Sequence, residues 1–271
     1  MDSIFRLLYY SEQFPKNTAM NYTMLTLCHH LDKVPELAID EIAELCNTNP
    51  MMLSRIVRKL GYKNFSEFRL AAQETITQSW YLNRNIPMGF VDEDNPAESF
   101  LAYMERTVSL LRSGETMAQI EAVCKALDQA KTVHFYGPPY FSIYMVMLLH
   151  DLISAGKEVH PYTSKESILL DMDSISEHSL VFVVPNDLVV DISLTRTIME
   201  TVGQRRGQLV IHTEAGDPIL GFSKGPNLTY PGDHTVATSM AGAFVLNMLT
   251  MTYRSKYLDR TMTDGKESEN K

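Results

Sequence analysis

The chain has 271 residues, 45% of them hydrophobic, and a formal net charge of −9. That length supports two domains with separate cores, and the acidic balance excludes a protein that coats nucleic acid indiscriminately. No charged segment leads into an apolar leader, the longest apolar stretches (141–149 and 241–251) are too short for a bilayer, and the 3 cysteines form no CxxC pair, so a cytoplasmic protein with reduced thiols and no membrane contact is expected.

Ile4, Phe5, Leu7 and Leu8, then the run Tyr22–Leu31, are apolar-periodic and predict two helices that pack as core. Ile39, Ile42, Ala43 and Cys46 follow at i, i+3, i+4 and i+7, with Asp40, Glu41 and Glu44 on the wet side. Asn47-Thr48-Asn49 breaks this period. Asn49 suits an N-cap, Pro50 the first helical position, and Gly61 the position after the helix. Between them Leu53, Ile56, Val57 and Leu60 repeat the apolar spacing, while Met51, Ser54, Arg55 and Arg58 share the opposite face. Two short helices joined by a tight turn, the second with a basic outer face, form a helix-turn-helix pattern.

The charge is local. Residues 1–77 hold 8 Lys/Arg against 9 Asp/Glu, yet between Asn47 and Ala72 five basic residues (Arg55, Arg58, Lys59, Lys63, Arg69) face the single acid Glu67. A net of +4 there suits phosphate contacts and predicts salt-sensitive DNA binding. The alternative on pattern alone is an ordinary helical hairpin with a solvated basic face.

The run NPMMLSRIVRKLGYKNFSEFRLA resembles the recognition-helix segment of the RpiR (MurR/RpiR) family of bacterial transcriptional regulators. The resemblance rests on Arg55, the Arg58-Lys59-Leu60-Gly61 block, Tyr62, and Asn64-Phe65 leading into Ser66-Glu67-Phe68-Arg69, with Ile39–Leu45 echoing the preceding helix. It implies that Asn49, Met52, Ser54, Arg55 and Arg58 meet a pseudo-palindromic double-stranded operator. Lys59, Lys63 and Arg69 would lie on phosphates, and the protein would act as a homodimer or homotetramer. Two positions depart from the family. Met52 stands where a Thr is usual, and Ala38 cannot supply a side-chain cap.

A helix is expected to continue past Ala72 to about Leu82. Two prolines, a glycine and the acidic cluster 92–94 then mark a linker, so the expected division is a helix-turn-helix domain at 1–77, a linker at 78–96, a second domain at 97–260 and a disordered tail at 261–271. In the second domain, helices at 97–111 and 115–130 precede alternating strands and helices. Strands are expected at Thr132–Tyr136, Glu158–Tyr162, Leu180–Val184, Gln208–His212 and Leu228–Tyr230, and helices at Tyr140–Ser154, Val189–Val202 and Thr235–Tyr257. The fold class is therefore α + α/β: an all-helical domain, then a three-layer αβα sandwich around a parallel sheet.

With the N-terminal resemblance in place, this second layout resembles the SIS (sugar isomerase-like) domain of RpiR regulators. Ligands bind beyond the carboxyl ends of such strands, here the loops 137–142, 185–190 and 213–217. The phosphosugar loops of that family are worn away. Pro138 and Pro139 offer no N–H groups, Phe141 stands where a serine is expected, and Asp187 would repel a phosphate. The resemblance leaves Gly137, Tyr140, Ser142, Asn186, Asp187 and Thr213 to contact a small effector, with a neutral or amino-bearing compound favoured over a sugar phosphate. The alternative is a domain that binds nothing and only oligomerises.

Isomerase activity would need an acid–base group such as His150, His212 or Glu214. No GxSxG, HExxH, Walker or GxGxxG motif accompanies them, so neither catalysis nor a cofactor is expected. His29 and His30 are adjacent and the other six histidines are scattered, so no metal is expected either. Among the 16 methionines, Met145, Met147, Met240, Met248 and Met251 lie on apolar helices, as core filling or as an adaptable oligomer interface.

Overall fold

The computed structural model describes residues 3–79, 86–185, 190–233 and 235–258. The chain divides into two compact units, Met1–Asn83 and Arg84–Lys271.

The first unit is all helical: α1 (Ser3–Glu12), α2 (Ala19–His29), α3 (Ile39–Leu45), α4 (Pro50–Lys59) and α5 (Phe65–Ser79), with a short 3-10 turn at Leu31–Lys33. Each helix is short, so its stability comes from its apolar face rather than from propensity. Leu7, Met24, Leu27, Val34, Ile42, Cys46, Leu53, Ile56, Val57, Leu60, Phe68 and Ala72 meet in one buried cluster. Burying each large member contributes roughly 1.5–3 kcal/mol.

α3 and α4 end in the same way. Beyond α3, Asn47 takes a left-handed backbone (φ 48°), and the Thr48 N–H reaches the Ala43 carbonyl at 2.9 Å. Beyond α4, Gly61 does so (φ 93°), and the Tyr62 N–H reaches Val57 at 3.1 Å. Both are Schellman closures that satisfy otherwise orphaned carbonyls. Ala38, which has no capping side chain, is compensated by Glu41, whose carboxylate accepts the Ala38 N–H at 2.7 Å.

The second unit runs α6 (Pro96–Leu110), α7 (Gly114–Gln129), β1 (Thr132–Tyr136), α8 (Pro139–Ser154), β2 (Glu158–Tyr162), α9 (Lys165–Asp171), β3 (Ser179–Val183), α10 (Ile192–Arg205), β4 (Gln208–Glu214), β5 (Asn227–Tyr230) and α11 (Val236–Tyr253). A π-turn at Arg254–Leu258 closes it. The five strands are parallel, in the order β2-β1-β3-β4-β5. Val133, Phe135, Leu180, Phe182, Val210 and Leu228 pack on one face with α7, α8 and α11. Side chains alternate across strands, so His134, Tyr136, Val181 and Val183 point to the other face, on which α9 packs against β2 and α10 against β4. The three-layer α/β arrangement and the N-terminal helical unit match the expected fold class.

Pro161 sits inside β2 without harm because β2 is an edge strand and its missing N–H breaks no inner ladder. The segment before α6 is less open than its composition suggests. Ile86 is buried and Phe90 packs edge-on against Tyr103 at 4.8 Å. No helix among the described residues is long and apolar enough to cross a membrane.

Candidate nucleic-acid interface and effector end

α4 begins at Asn49, whose Oδ1 accepts the Met52 N–H at 2.9 Å, with Pro50 in the first turn. Leu53, Ile56, Val57 and Leu60 are fully buried, which forces the opposite face outward. Met51 there is 81% exposed, Arg55 and Arg58 are exposed, and Ser54 and Met52 are half-buried. Arg58 lies back along the helix, its Nε donating to the Ser54 carbonyl at 3.2 Å. Arg55, Arg58 and Ser54 therefore share one solvent face, and Asn49 sits at its amino end.

The remaining basic residues stand elsewhere. Lys63 is exposed beyond the end of α4. The Lys59 ammonium lies over the Phe14 ring, 5.4 Å from its centroid. Arg69 is turned inward: it donates to the Leu37 carbonyl at 2.8 Å and stacks over Phe65. Its guanidinium braces α5 against the segment leading into α3, a structural task that the count of local charges could not reveal.

Much of the motif after Arg58 is likewise structural. Gly61 closes the helix, Tyr62 packs on Phe68 at 5.4 Å, and the Asn64 Oδ1 accepts the Glu67 N–H at 2.9 Å to start α5. Arg6, from α1, donates to the Leu60 carbonyl at 2.8 Å, a contact that sequence spacing gives no hint of.

Of the expected effector residues at the carboxyl end of the sheet, Gly137 and Thr213 are described in full. Gly137 follows β1, where a Cβ would stand 3.0 Å from the Val184 Cβ, so a larger residue would push the ends of β1 and β3 apart by a few tenths of an ångström. Pro138 and Pro139 open α8, so its first turn lacks two N–H donors. Tyr140 and Ser142 fall in that first turn, with their side chains outside the described ones, and Asn186 and Asp187 lie outside the described residues. Thr213 is nearly buried, and its hydroxyl donates to Asp217 at 2.7 Å; Asp217 in turn caps the next turn through the Ile219 N–H. Thr213 is thus a loop brace rather than an open contact. A cavity beside Gly137 is lined by Phe135, Met145, Tyr162 and Phe182. A larger groove of about 820 Å³ lies at the amino end of β4, between Met199, Gly203, Phe222 and Pro226, away from these loops.

His150 is exposed on α8, beside Asp151 at 3.5 Å. His212 is fully buried; burial drives it down to about 4, against the pull of the Leu228 carbonyl 2.9 Å from its Nδ1. A neutral, enclosed imidazole of this kind has no path to a substrate proton.

One cluster contradicts the expectation of scattered histidines. The pairing of β1 with β2 sets His134 opposite His160. Asp171, at the end of α9, accepts from both: His134 Nδ1 at 2.7 Å and His160 Nδ1 at 2.7 Å. Tyr136 donates to the same carboxylate at 2.6 Å and Ser174 at 3.1 Å. Burial alone would raise Asp171, but hydrogen bonds from Tyr136, His134 and His160 outweigh it and hold the carboxyl below its ordinary range. Burial dominates at His134 and lowers it; at His160 the bonds to Asp171 and Glu158 overcome burial and raise it. The sequence held no sign of this cluster, since its members come from β1, β2 and α9 and meet only in the folded sheet.

No family model matches the chain. An uncharacterised HTH-type transcriptional regulator of Clostridium perfringens is 23% identical over 216 residues, covering 76% of this chain and 74% of that one. The likeness to that helix-turn-helix regulator thus runs over about three quarters of each chain. The chain's own organisation is a helical unit followed by a parallel α/β unit. Among solved structures, it is similar to the Vibrio vulnificus NanR protein complexed with ManNAc-6P (TM-score 0.48, 17% identity, 99% of this chain and 97% of that one). It is also similar to the sugar isomerase domain of an RpiR transcription factor from Sphaerobacter thermophilus (TM-score 0.47, 16% identity, 63% and 96%).

Proposed function

We propose that the chain is a helix-turn-helix transcriptional regulator of the RpiR type that binds a two-fold operator through the solvent face of α4, as a cytoplasmic homodimer or homotetramer. Residues 1–77 would form the DNA-binding part. Asn49, Met52, Ser54, Arg55 and Arg58 reach base edges or adjacent phosphates in the major groove, and Lys59 and Lys63 contact phosphates at its rim. Arg69 belongs to this set only if it leaves Leu37. The observation that carries the reading is the division of α4 into a fully buried face and an opposite face of Met51, Ser54, Arg55 and Arg58. Exposed Ile143, Val146 and Met147 on α8, with Met240, Phe244 and Met251 on α11, are of a kind suited to joining two copies, whereas Met145 and Met248 are taken into the core.

The second unit, residues 97–260, responds to a small carbohydrate-derived ligand at the carboxyl end of its sheet and carries out no catalysis. The prolines opening α8 and the engaged Thr213 favour a neutral or amino-bearing ligand over a sugar phosphate. The exposed apolar residues of α8 and α11 favour a second reading, a unit that oligomerises without any ligand. Footprinting on the DNA flanking the protein's own coding sequence tests the operator: protection of a two-fold site, lost with Arg55→Ala, is the expected result. A thermal-shift series with neutral sugars, amino sugars and sugar phosphates tests the ligand. A selective shift with a sugar phosphate refutes the loop argument, and no shift with any class supports the second reading.

A further inference from the structure

The cluster around Asp171 has the donors of a metal site as well as those of a hydrogen-bond network. One ligand atom from each of His134, His160 and Asp171 lies within 4.8 Å of the others. Two imidazole nitrogens and one carboxylate oxygen suit zinc and its first-row neighbours; magnesium and calcium demand oxygen.

The supporting shell is also present. Metal-binding imidazoles turn their second nitrogen to a carboxylate, hydroxyl or carbonyl that fixes the ring. His160 Nε2 meets Glu158 Oε1 at 3.0 Å, and His134 Nε2 meets Ser179 Oγ at 3.2 Å. Both Nδ1 atoms are thereby aimed at the Asp171 carboxylate, whose own orientation is held by Tyr136 and Ser174. Ser179 is fixed in turn by the Ser176 N–H at 3.0 Å. The centre is reachable, since the His160 side chain is 20% exposed on the edge strand while His134 is fully enclosed.

We propose that His134, His160 and Asp171 form a binding site for a borderline divalent transition ion of the zinc type, with water completing the coordination on the His160 side. His134 meets Asp171 Oδ2 and His160 meets Oδ1, each at 2.7 Å; whichever oxygen binds the ion, its gap to the imidazole would widen to about 3.3 Å, the ligand spacing around a tetrahedral ion. α9 has only seven residues and β2 lies at the sheet edge, so both can yield by that amount. On ion entry the His160 Nδ1 proton leaves to solvent. His134 moves its proton to Nε2, which donates to Ser179, whose hydroxyl turns to Ser176 Oγ, 3.3 Å away. The ion would tie β1, β2 and α9 together beneath the turn at Gly137.

The test uses the full chain, stripped with EDTA and titrated with Zn²⁺ against a chromophoric chelator of micromolar affinity. One ion per chain is expected. His160→Gln should weaken binding at least about a hundredfold, and Glu158→Gln, which meets the ring at its second nitrogen, about tenfold. His178→Ala, at an exposed histidine outside the cluster, should change nothing. Circular dichroism establishes that each variant folds; Glu158→Gln, at an exposed edge position, decides the matter if His160→Gln does not. The proposal is overturned if the chain fails to compete with the chelator, or if these two variants hold the ion as tightly as the parent.

Discussion

The Arg69 guanidinium donates to the backbone carbonyl of Leu37 at 2.8 Å, joining the middle of the first unit's last helix to the loop before its helix-turn-helix. A hydrogen bond from a charged donor to a partly enclosed carbonyl contributes about 1.5–3 kcal/mol. Arg69→Ala should therefore lower the urea midpoint of the first unit's unfolding by that amount of free energy. An unchanged midpoint together with a reduced salt slope of DNA binding would return Arg69 to the phosphate-contacting set.

Arg55→Ala and Arg58→Ala should behave in the opposite way. Both side chains are exposed on α4, so the melting temperature should stay put while operator affinity falls. Each phosphate contact removed should reduce the slope of log K against log[salt] by about 0.9. A base contact removed should cost about 1–3 kcal/mol and relax preference at one operator position. Gel-shift titrations at several salt concentrations separate the two, and unaltered affinity in both variants would disprove the assignment.

The ends of α4 supply a further pair. Asn49→Ala removes the oxygen that accepts the Met52 N–H and should destabilise by about 1 kcal/mol, whereas Asn49→Ser should remain within a few tenths. Gly61 holds φ 93°, so Gly61→Ala should cost about 1–2 kcal/mol from the left-handed backbone. Chemical denaturation of the three variants reads this directly.

Asp191 starts α10 by accepting the Leu194 N–H at 2.8 Å and pairs with Lys165 at 3.1 Å. Burial would raise its carboxyl, but these donors outweigh burial and hold it below the ordinary aspartate value. A depressed folded value means that the stabilisation is fully present above the unfolded pKa and is lost as pH falls through the folded one. Asp191→Asn keeps a capping oxygen but no titration, so it should flatten the acid limb of the stability–pH curve and leave the limb above neutrality unchanged. Both partners are near half exposed, so the effect should be small and should shrink with added salt.

Local signals read well where one residue type has one physical use. Asn49, Pro50 and Gly61 bound α4 as their backbone preferences require, and β1 and β2 occupy the expected residues, 132–136 and 158–162. Where competing signals were weak, boundaries moved. α10 starts at Ile192 rather than Val189 because Asp191 supplies the cap. The seven-residue α9 went unpredicted, being too short for a periodic apolar run; its trace was Ser164, whose hydroxyl accepts the Ser167 N–H at 3.2 Å.

The sequence alone determined the helix-turn-helix, its outward basic face and the alternation that builds a parallel sheet, because each depends on neighbours within a turn or a strand. Tertiary structure alone decided which polar groups meet. It took Arg69 and Thr213 inward to Leu37 and Asp217. Through the register of β1 with β2, it brought two histidines that seemed unrelated onto one carboxylate. Contacts of that kind arise from strand pairing and helix packing between distant segments, and no local periodicity encodes them.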